Sequence, residues 1–263
     1  MPVITKITTQ KRQGRYNVFL DGQYAFPVSE STLIEFQLMK GQELSDEEVA
    51  AIKAGEVTAM ANTTALNYLS YQPRSVHEVV THLREADLPE EAIQTAIQRL
   101  KDLNYLDDAQ FARLYVNDRR HIGDKGPRVI AQKLREKGVS ANTIEDALAE
   151  VPDAEWLELG HSVAIKLQRH NRQRSHQESL NRIRQGLAQK GFNADYSSAI
   201  MAQLDWDDEE DNEMALLKQQ AEKQWRLKRR YTGNERKQKV KQALYRKGFA
   251  LDQIDAVLNE LEE

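Results

Sequence analysis

The sequence predicts a mainly α-helical protein made of tandem three-helix repeats in an elongated curved array, with a small antiparallel β domain at the N-terminus. Three observations predict this class. One helix ending recurs along the chain, the residues between its copies have helical spacing, and only the first forty-odd residues alternate in the manner of strands. A stack of such repeats usually offers a binding surface rather than an enclosed site for chemistry.

The recurring ending is clearest at Leu134–Val139. It returns as Leu187–Phe192 and Leu244–Phe249, with a degenerate first copy at Leu83–Leu88, and the leading leucines lie 51, 53 and 57 residues apart. Glycine at the fifth position of the last three copies suits the left-handed turn that ends a helix. The residues four positions before each leucine are apolar and fall on the same helix face: Val79, Ile130, Ile183 and Val240.

The N-terminal residues predict a small sheet. Ile4–Gln10 and Arg15–Leu20 alternate between apolar and polar residues, and Tyr24–Val28 follows as a third strand. The dipeptide Asp21-Gly22 suits a two-residue hairpin turn between the second and third strands. A short helix over Ser31–Met39 is expected to close this domain.

A long helix is predicted to begin after Ser45 and to end at Gln72-Pro73. Ser45 and Glu48 have the spacing of a capping box, and a residue before proline disfavours helix. The residues expected along its apolar stripe are Val49, Ile52, Ala59, Leu66 and Leu69.

These signals divide the chain into five expected domains: a β domain over 1–45, repeat 1 with its long leading helix over 46–108, and repeats over 109–152, 153–209 and 210–263. The first repeat departs from the pattern because Asp87 stands where the others have glycine. We expect this repeat to serve as a platform for the N-terminal sheet. The acidic stretch Asp205–Asp211 is expected to be a solvated link before the last repeat.

Composition excludes several classes of protein. The 263 residues include no cysteine, so disulfides and thiolate chemistry are excluded. The N-terminus lacks the apolar core of a signal peptide, and no stretch approaches the ~18 apolar residues of a membrane span. A cytoplasmic location is therefore expected.

The net charge of −4 is unevenly distributed. Residues 111–150 carry 8 basic and 6 acidic groups, and residues 212–263 carry 12 and 8, whereas residues 61–110 carry 4 and 8. The second and fourth repeats are thus basic within an acidic protein, and such clusters can neutralise phosphates in a salt-dependent way. Aromatic residues within the last cluster, Trp225, Tyr231 and Tyr245, offer faces for stacking on bases. The alternative is that these lysines and arginines only solvate a helix face.

No motif predicts an enzyme, a metal site or a cofactor. His77 and His82 resemble a zinc-binding helix, but residues five apart diverge by roughly 140° around a helix and cannot share one tetrahedral ion. The glycine-rich loop Gly123–Pro127 lacks the Gly-Lys-Ser/Thr ending of a phosphate loop and follows a helix rather than a strand. Pro127 instead suits the first turn of the next helix.

Several segments resemble the RecX family, the regulators of the RecA recombinase. They are Ala65–Leu69 with Pro73-Arg74-Ser75, then Leu100–Asp108, and most specifically Gly123–Ile130 running into Leu134–Val139. The matching segments are closely spaced over about residues 61–150. After residue 150 the chain resembles the family only in its repeat pattern. The N-terminal strands are similar to the extension of the longer members from Gram-positive bacteria.

The resemblance implies a non-enzymatic cytoplasmic modulator, without cofactor or membrane association and expected to be a monomer. Family members bind the RecA–DNA filament along its groove and mostly inhibit strand exchange and filament growth, in recombination, repair and the SOS response. An array of repeats suits this task because it contacts several protomers at once.

Charge and the matched central segment together predict nine filament- or DNA-binding residues: Arg119, Arg120, Lys125, Arg128, Lys133, Arg229, Arg230, Lys237 and Lys241. Two other functions stay open. One is a DNA-binding protein that contacts phosphates without a recombinase partner, which predicts tight binding to naked DNA. The other is a protein-only scaffold, which predicts partner binding that is insensitive to salt.

Overall fold

The structure is a computed structural model that describes the backbone of residues 1–206 and 209–261, and the side chains of these residues except 209–211. Over this part of the chain it contains one three-stranded sheet and thirteen helices. The mainly α class with an N-terminal antiparallel sheet is therefore confirmed, while the elongated curved array and the five-domain division stay predictions. The acidic link predicted over Asp205–Asp211 lies partly outside the described residues.

The chain forms two compact units. The first comprises Met1–Leu114 with Leu134–Ile144, and the second comprises Tyr115–Lys133 with Glu145–Glu263. The helices follow in groups of three, as the recurrence predicts. They are α1 Glu30–Glu35 in the β domain; α2 Asp46–Leu69, α3 Val76–Glu85 and α4 Glu90–Asp102 in the first repeat; α5 Asp108–Ile122, α6 Pro127–Glu136 and α7 Ala141–Ala149 in the second; α8 Asp153–His170, α9 His176–Lys190 and α10 Ala194–Ala202 in the third; and α11 Glu209–Leu227, α12 Gly233–Tyr245 and α13 Leu251–Glu260 in the fourth.

The sheet has the order β1-β2-β3, with β1 Ile4–Thr9, β2 Arg15–Leu20 and β3 Gln23–Ser29 paired antiparallel. The hairpin turn is as predicted: Asp21 and Gly22 both have positive φ, 46° and 83°, which suits the twist of the flanking strands. The predicted helix over Ser31–Met39 was too long. Helix α1 ends at Glu35 because Gln37 turns to a φ of 49°.

A buried carboxylate fixes the sheet to the first repeat. Glu56 on α2 accepts hydrogen bonds from the Ser29 N–H at 2.6 Å and the Thr32 hydroxyl at 2.8 Å, and it pairs with Arg15. Around it the apolar core of the β domain continues onto Ile52 of α2. The first repeat is therefore the platform for the sheet, as expected, but nothing in the sequence pattern indicated the role of Glu56.

Helix α2 confirms the predicted start. Ser45 Oγ accepts from the Glu48 N–H, and the Glu48 carboxylate accepts from the Ser45 N–H, which together form the capping box. The predicted apolar stripe was partly wrong, because Leu66 is 41% exposed whereas Ala61 and Ala65 are fully buried. These alanines belong to the first-repeat core and let α4 pack closely on α2.

The apolar positions of the recurring pattern are core positions. The four leading leucines and the residues one helical turn before them all have less than 2% of their surface exposed. Each second helix of a repeat, α3, α6, α9 or α12, therefore buries the same face. The residues concerned are Leu83, Leu134, Leu187 and Leu244, with Val79, Ile130, Ile183 and Val240.

The glycine turn that ends such a helix docks on the start of the corresponding helix one repeat earlier. In the first unit, the Ser75 hydroxyl at the N-terminus of α3 donates to the Lys137 carbonyl at 2.5 Å. A Cβ at Gly138 would overlap the side chain of His77. The Lys137 ammonium reaches back to Glu78 Oε1 at 2.6 Å. We call this contact of a helix start with a Lys-Gly turn the inter-repeat joint.

The second unit contains two more joints of the same kind. The Gly126 N–H at the start of α6 donates to the Lys190 carbonyl at 2.7 Å, and the Ser175 hydroxyl at the start of α9 donates to the Lys247 carbonyl. A Cβ at Gly191 would lie 2.6 Å from the Val129 backbone nitrogen. Each of the three Lys-Gly turns thus accepts a hydrogen bond at its lysine carbonyl from the start of the helix one repeat earlier.

The joints explain why the first repeat lacks the glycine. Asp87 also adopts a positive φ of 56°, so the turn alone does not demand glycine. No repeat precedes the first one, and the side chain of Asp87 is exposed. Glycine is therefore required by the close approach of another helix start rather than by the turn.

We predict that Gly138→Ala destabilises the protein more than Gly41→Ala. Both glycines have positive φ, 77° and 89°, but a Cβ at Gly41 meets no atom within 4 Å. Gly41→Ala should therefore cost about 1–2 kcal/mol for the backbone alone, and Gly138→Ala roughly 1–3 kcal/mol more for the overlap with His77. Thermal unfolding followed by circular dichroism measures this difference, and equal losses of Tm in the two variants would contradict the joint.

Candidate functional site

The exposed cations of the second and fourth repeats form the candidate interface. The nine predicted residues differ in how much of each side chain is available, because several of them pair within the protein. Five of the nine residues are exposed to solvent: Arg119, Arg128, Lys133, Arg229 and Arg230. The others, Arg120, Lys125, Lys237 and Lys241, are partly buried.

The end of α5 carries one outward and one inward arginine. The Arg119 guanidinium lies over the Tyr115 ring at 5.1 Å and 3.6 Å from Asp118, with half of its side chain exposed. The neighbouring Arg120 is only 18% exposed and pairs with Glu155 at the start of α8. Arg119 is therefore available to a partner, whereas Arg120 holds two helices of the second unit together.

The glycine-rich loop before α6 is a structural part of a joint. Its Gly126 N–H and the following Arg128 N–H donate to the carbonyls of Lys190 and Gly191, at 2.7 and 3.1 Å. The N–H groups that a phosphate loop would direct at its ligand are thus already used. Contact with an external anion would therefore fall to the side chains of this segment, notably Lys125 and Arg128.

Asp124 moderates the charge of this loop. Its carboxylate pairs with the Lys190 ammonium and lies 3.4 Å from Lys125 Nζ. The hydrogen bond from Lys190 holds the pKa of Asp124 below its ordinary value, against the smaller opposing effect of burial. The carboxylate therefore stays charged at neutral pH and partly neutralises the two lysines.

Arginine side chains cover most of the aromatic faces of the fourth repeat. Arg236 lies over the Trp225 ring at 4.2 Å and donates to the Trp225 carbonyl. Arg230 lies over the Tyr231 ring at 4.9 Å and donates to its hydroxyl at 2.8 Å. Tyr245 is the more accessible aromatic, with 58% of its surface exposed. Base stacking, which the sequence suggested for all three aromatics, is thus best supported at Tyr245.

Two of the predicted lysines of α12 bind α13. Lys237 Nζ donates to Asn259 at 2.8 Å, and Lys241 Nζ pairs with Asp255 at 2.6 Å. These partners lie 14 to 22 residues further along the chain, and charge counting does not reveal them. In contrast, Arg229 and Arg230 lie in the turn region after α11 and are exposed.

Sequence reasoning missed a basic groove beside α11. Lys218, Lys223 and Arg226 line it from one face of the helix, and Arg172 lines it from the turn after α8. Glu222 is the acidic residue of this lining, 3.7 Å from Arg226. The spacing of Lys218, Glu222 and Arg226 at four-residue intervals was the available signal. The groove adds one cation, Arg172, from the third repeat, which was not expected to contribute any.

The histidines on α3 have structural surroundings. His82 stacks on Tyr68 with ring centroids 4.1 Å apart, and His77 lies against the Gly138 turn. Across the residues with described side chains, no group of three or more histidine, aspartate or glutamate residues is arranged to hold a metal ion. Within the described part of the chain, none of the helices has the length and apolar character needed to cross a membrane.

Comparison with known proteins gives a consistent family match. Four family models match successive segments: the regulatory protein RecX N-terminal domain over residues 2–45, and the first, second and third RecX three-helix domains over residues 61–100, 107–148 and 210–258. A protein of Lacticaseibacillus casei named "Regulatory protein RecX" is 45% identical over 263 residues, covering all of both chains. A protein of the same name from Levilactobacillus brevis is 46% identical, covering all of this chain and 99% of the relative.

Solved structures show the same similarity. A crystal structure of regulatory protein RecX has 40% sequence identity and a TM-score of 0.69, covering 77% of this chain and all of that one. A crystal structure of RecX from Lactobacillus salivarius has 37% identity and a TM-score of 0.55, covering 57% of this chain and 97% of that one. Both matches support the helical-repeat fold described above.

We predict that Asp124→Asn lowers Tm by an amount that depends on pH. The folded-state pKa of Asp124 is lowered, so its stabilising effect is present above the ordinary carboxyl pKa of about 3.9 and is lost as pH falls through the lower folded value. The Tm difference from the parent should be constant between about pH 7 and 5 and shrink below about pH 4. Asp87→Asn removes the same charge outside any joint and serves as the control; a difference unchanged down to pH 3 would refute the assignment.

We also predict that Arg229→Gln with Arg230→Gln weakens binding to naked single-stranded DNA more than Lys237→Gln with Lys241→Gln. The arginine pair is exposed, whereas the lysine pair is bound to α13. Losing two phosphate contacts should reduce the slope of log affinity against log salt by about 1.4. Fluorescence anisotropy at several salt concentrations measures the slope, and an equal effect of the two pairs would contradict this distinction.

Proposed function

The chain belongs to the RecX family of regulatory proteins, and on that premise we propose that it is a non-enzymatic regulator of the RecA recombinase. In this proposal it binds the RecA–DNA filament in the cytoplasm as a monomer and mostly inhibits recombinase activity in recombination, repair and the SOS response. The relatives that match along their full or nearly full length are named regulatory proteins, which supports a regulatory rather than a catalytic role.

The observation that carries the proposal is the alternation of charge along one repeated fold. Residues 111–150 of the second repeat and 212–263 of the fourth have net charges of +2 and +4, while residues 61–110 and 151–211 each have −4. A protein that bound only DNA would gain by making every repeat basic. Alternation instead suits a target that presents both nucleic acid and protein, as a recombinase-coated strand does.

The exposed cations, together with Lys125, whose side chain is 44% exposed, supply the nucleic-acid contacts in this proposal. Arg119, Lys125 and Arg128 act in the second repeat, and Arg229 and Arg230 act in the fourth together with the basic groove beside α11. The five named residues lie at helix ends and turns and offer only side-chain contacts, which suits phosphate binding rather than the reading of bases. Lys133 belongs to the same set by its exposure and charge.

The remaining predicted residues take a supporting role. Arg120, Lys237 and Lys241 are paired with residues of other helices in the same unit. Breaking such a contact to reach a phosphate loses an existing ion pair or hydrogen bond, so the net gain is small. We therefore propose that these three residues shape the basic repeats and that the exposed set makes the contacts.

We predict that the protein binds a single strand coated with its cognate recombinase much more tightly than the naked strand. Contacts to several protomers and to DNA add in the coated complex, because each first contact raises the local concentration for the next. Anisotropy of the labelled strand at low and moderate salt measures binding, and the ATP hydrolysis rate of the filament should fall on binding.

Two other outcomes would redirect the proposal. Equal affinity for naked and coated strands, lost as salt rises, would identify a phosphate-binding protein without a recombinase partner. Salt-insensitive binding to the recombinase in the absence of DNA would identify a protein-only scaffold. The Arg229→Gln and Arg230→Gln variant distinguishes the first case, since its affinity for both strands would then fall by the same factor.

A further inference from the structure

A groove lined by both polar and apolar side chains opens on the first unit. Its walls come from the end of α2 with the turn that follows, and from the turn before α5 with the first half of that helix. The volume is about 440 Å³, which is within the range of sites that receive several side chains. The aromatic and aliphatic residues that line it are Leu69, Tyr71, Tyr105, Phe111 and Leu114.

Three large side chains around this groove are exposed without a role in the fold. Tyr71 is 85% exposed, Tyr105 60% and Leu114 49%, and none of them belongs to the first-repeat core. Phe111, at the floor, is 93% buried, with 7% of its surface accessible. A buried aromatic floor ringed by exposed tyrosine and leucine is the composition found at the centre of protein–protein interfaces.

The backbone that carries these side chains is held in place. The Tyr105 N–H donates to the Leu100 carbonyl at 2.8 Å, after Asn104 has turned the chain with a φ of 58°. Asp107 Oδ1 accepts from the Ala109 and Gln110 N–H groups at 2.8 and 3.1 Å and so fixes the start of α5. A groove that is ordered before binding loses little entropy when a partner enters.

Charge decides which class of partner fits. Asp107 lies in the lining, and residues 61–110 carry a net charge of −4. The one cation of the lining, Arg74, is committed within the unit: its guanidinium lies over Tyr68 at 4.3 Å and 3.8 Å from Glu78. A phosphate backbone would be repelled here, whereas an apolar side chain flanked by lysine or arginine would be attracted.

We infer that this groove is a docking site for a protein segment that presents an apolar side chain flanked by basic residues. The inference rests on the proposed function, under which that segment belongs to a recombinase protomer of the filament. It assigns protein recognition to the first repeat and DNA recognition to the basic repeats. The two kinds of contact are then made by different residues and are separable by mutation.

The test compares two pairs of substitutions at exposed side chains. Tyr71→Ser with Tyr105→Ser removes the rim of the groove, and Tyr24→Ser with Ile34→Ser removes two large side chains of the β domain that are 57% and 66% exposed. Each variant is titrated against a labelled single strand, naked and coated with the cognate recombinase in the presence of a non-hydrolysable ATP analogue. The groove pair should weaken binding to the coated strand by about tenfold or more and leave naked-strand binding unchanged.

Two results would overturn the inference. If the groove pair weakened binding to naked and coated strands by the same factor, the tyrosines would be stacking on bases rather than receiving a protein. If the groove pair behaved like the control pair on the coated strand, the groove would not be an interface. Circular dichroism of both pairs, whose substituted side chains are exposed, confirms that the variants are folded.

A second measurement separates this inference from the proposed function. The chain has no cysteine, so Tyr71→Cys and Tyr24→Cys each create one site for a photo-cross-linking label. Titration of the unsubstituted chain tests whether it binds the coated strand more tightly than the naked strand. If it does not, the proposed function is refuted. Cross-linking to the recombinase from position 71 above the level at position 24 would still support the groove, whereas equal or absent cross-linking would refute it.

Discussion

The fold depends on one constraint: the start of a helix must donate a hydrogen bond to the main-chain carbonyl at the end of a helix in the next repeat. At the inter-repeat joint, a Ser75 or Ser175 hydroxyl, or the Gly126 N–H, meets the carbonyl of a lysine that precedes glycine. Any Cβ on that glycine would occupy the space of the partner helix. The buried leucine at the first position of the recurring helix ending then lies at a fixed distance from the contact. The contact therefore determines both where the helix lies and which of its residues enter the core.

Much of the fold was predictable because this constraint leaves a pattern in the sequence. The recurrent leucine, the residue one turn before it and the glycine located the second helix of each repeat, and Ser45 with Glu48 located the start of α2. The reason for the glycine was not predictable. Asp87 has the same left-handed turn, and only the structure shows that the other repeats differ by what packs against them.

The candidate site was predictable in its location but not in its membership. Local charge identified the second and fourth repeats, because excess lysine and arginine can be counted. Whether a cation faces solvent depends on partners distant in sequence, such as Glu155 for Arg120. The same limit applies to Glu56, whose hydrogen-bond donors lie 24 to 41 residues earlier in the chain. Side-chain pairing across helices has no periodicity, so neither spacing nor composition reveals it.

The joint also bears on how such a protein can diversify. Its acceptor is a main-chain carbonyl, which every amino acid possesses, so no substitution at that position removes it. The glycine beside it and, in two of the three joints, the donor serine are the positions that the contact constrains, and the remaining surface of each repeat is left free to vary. Neighbouring repeats can therefore acquire opposite charges, or an exposed aromatic patch in place of a polar one, by successive point substitutions that leave the geometry of the contact untouched.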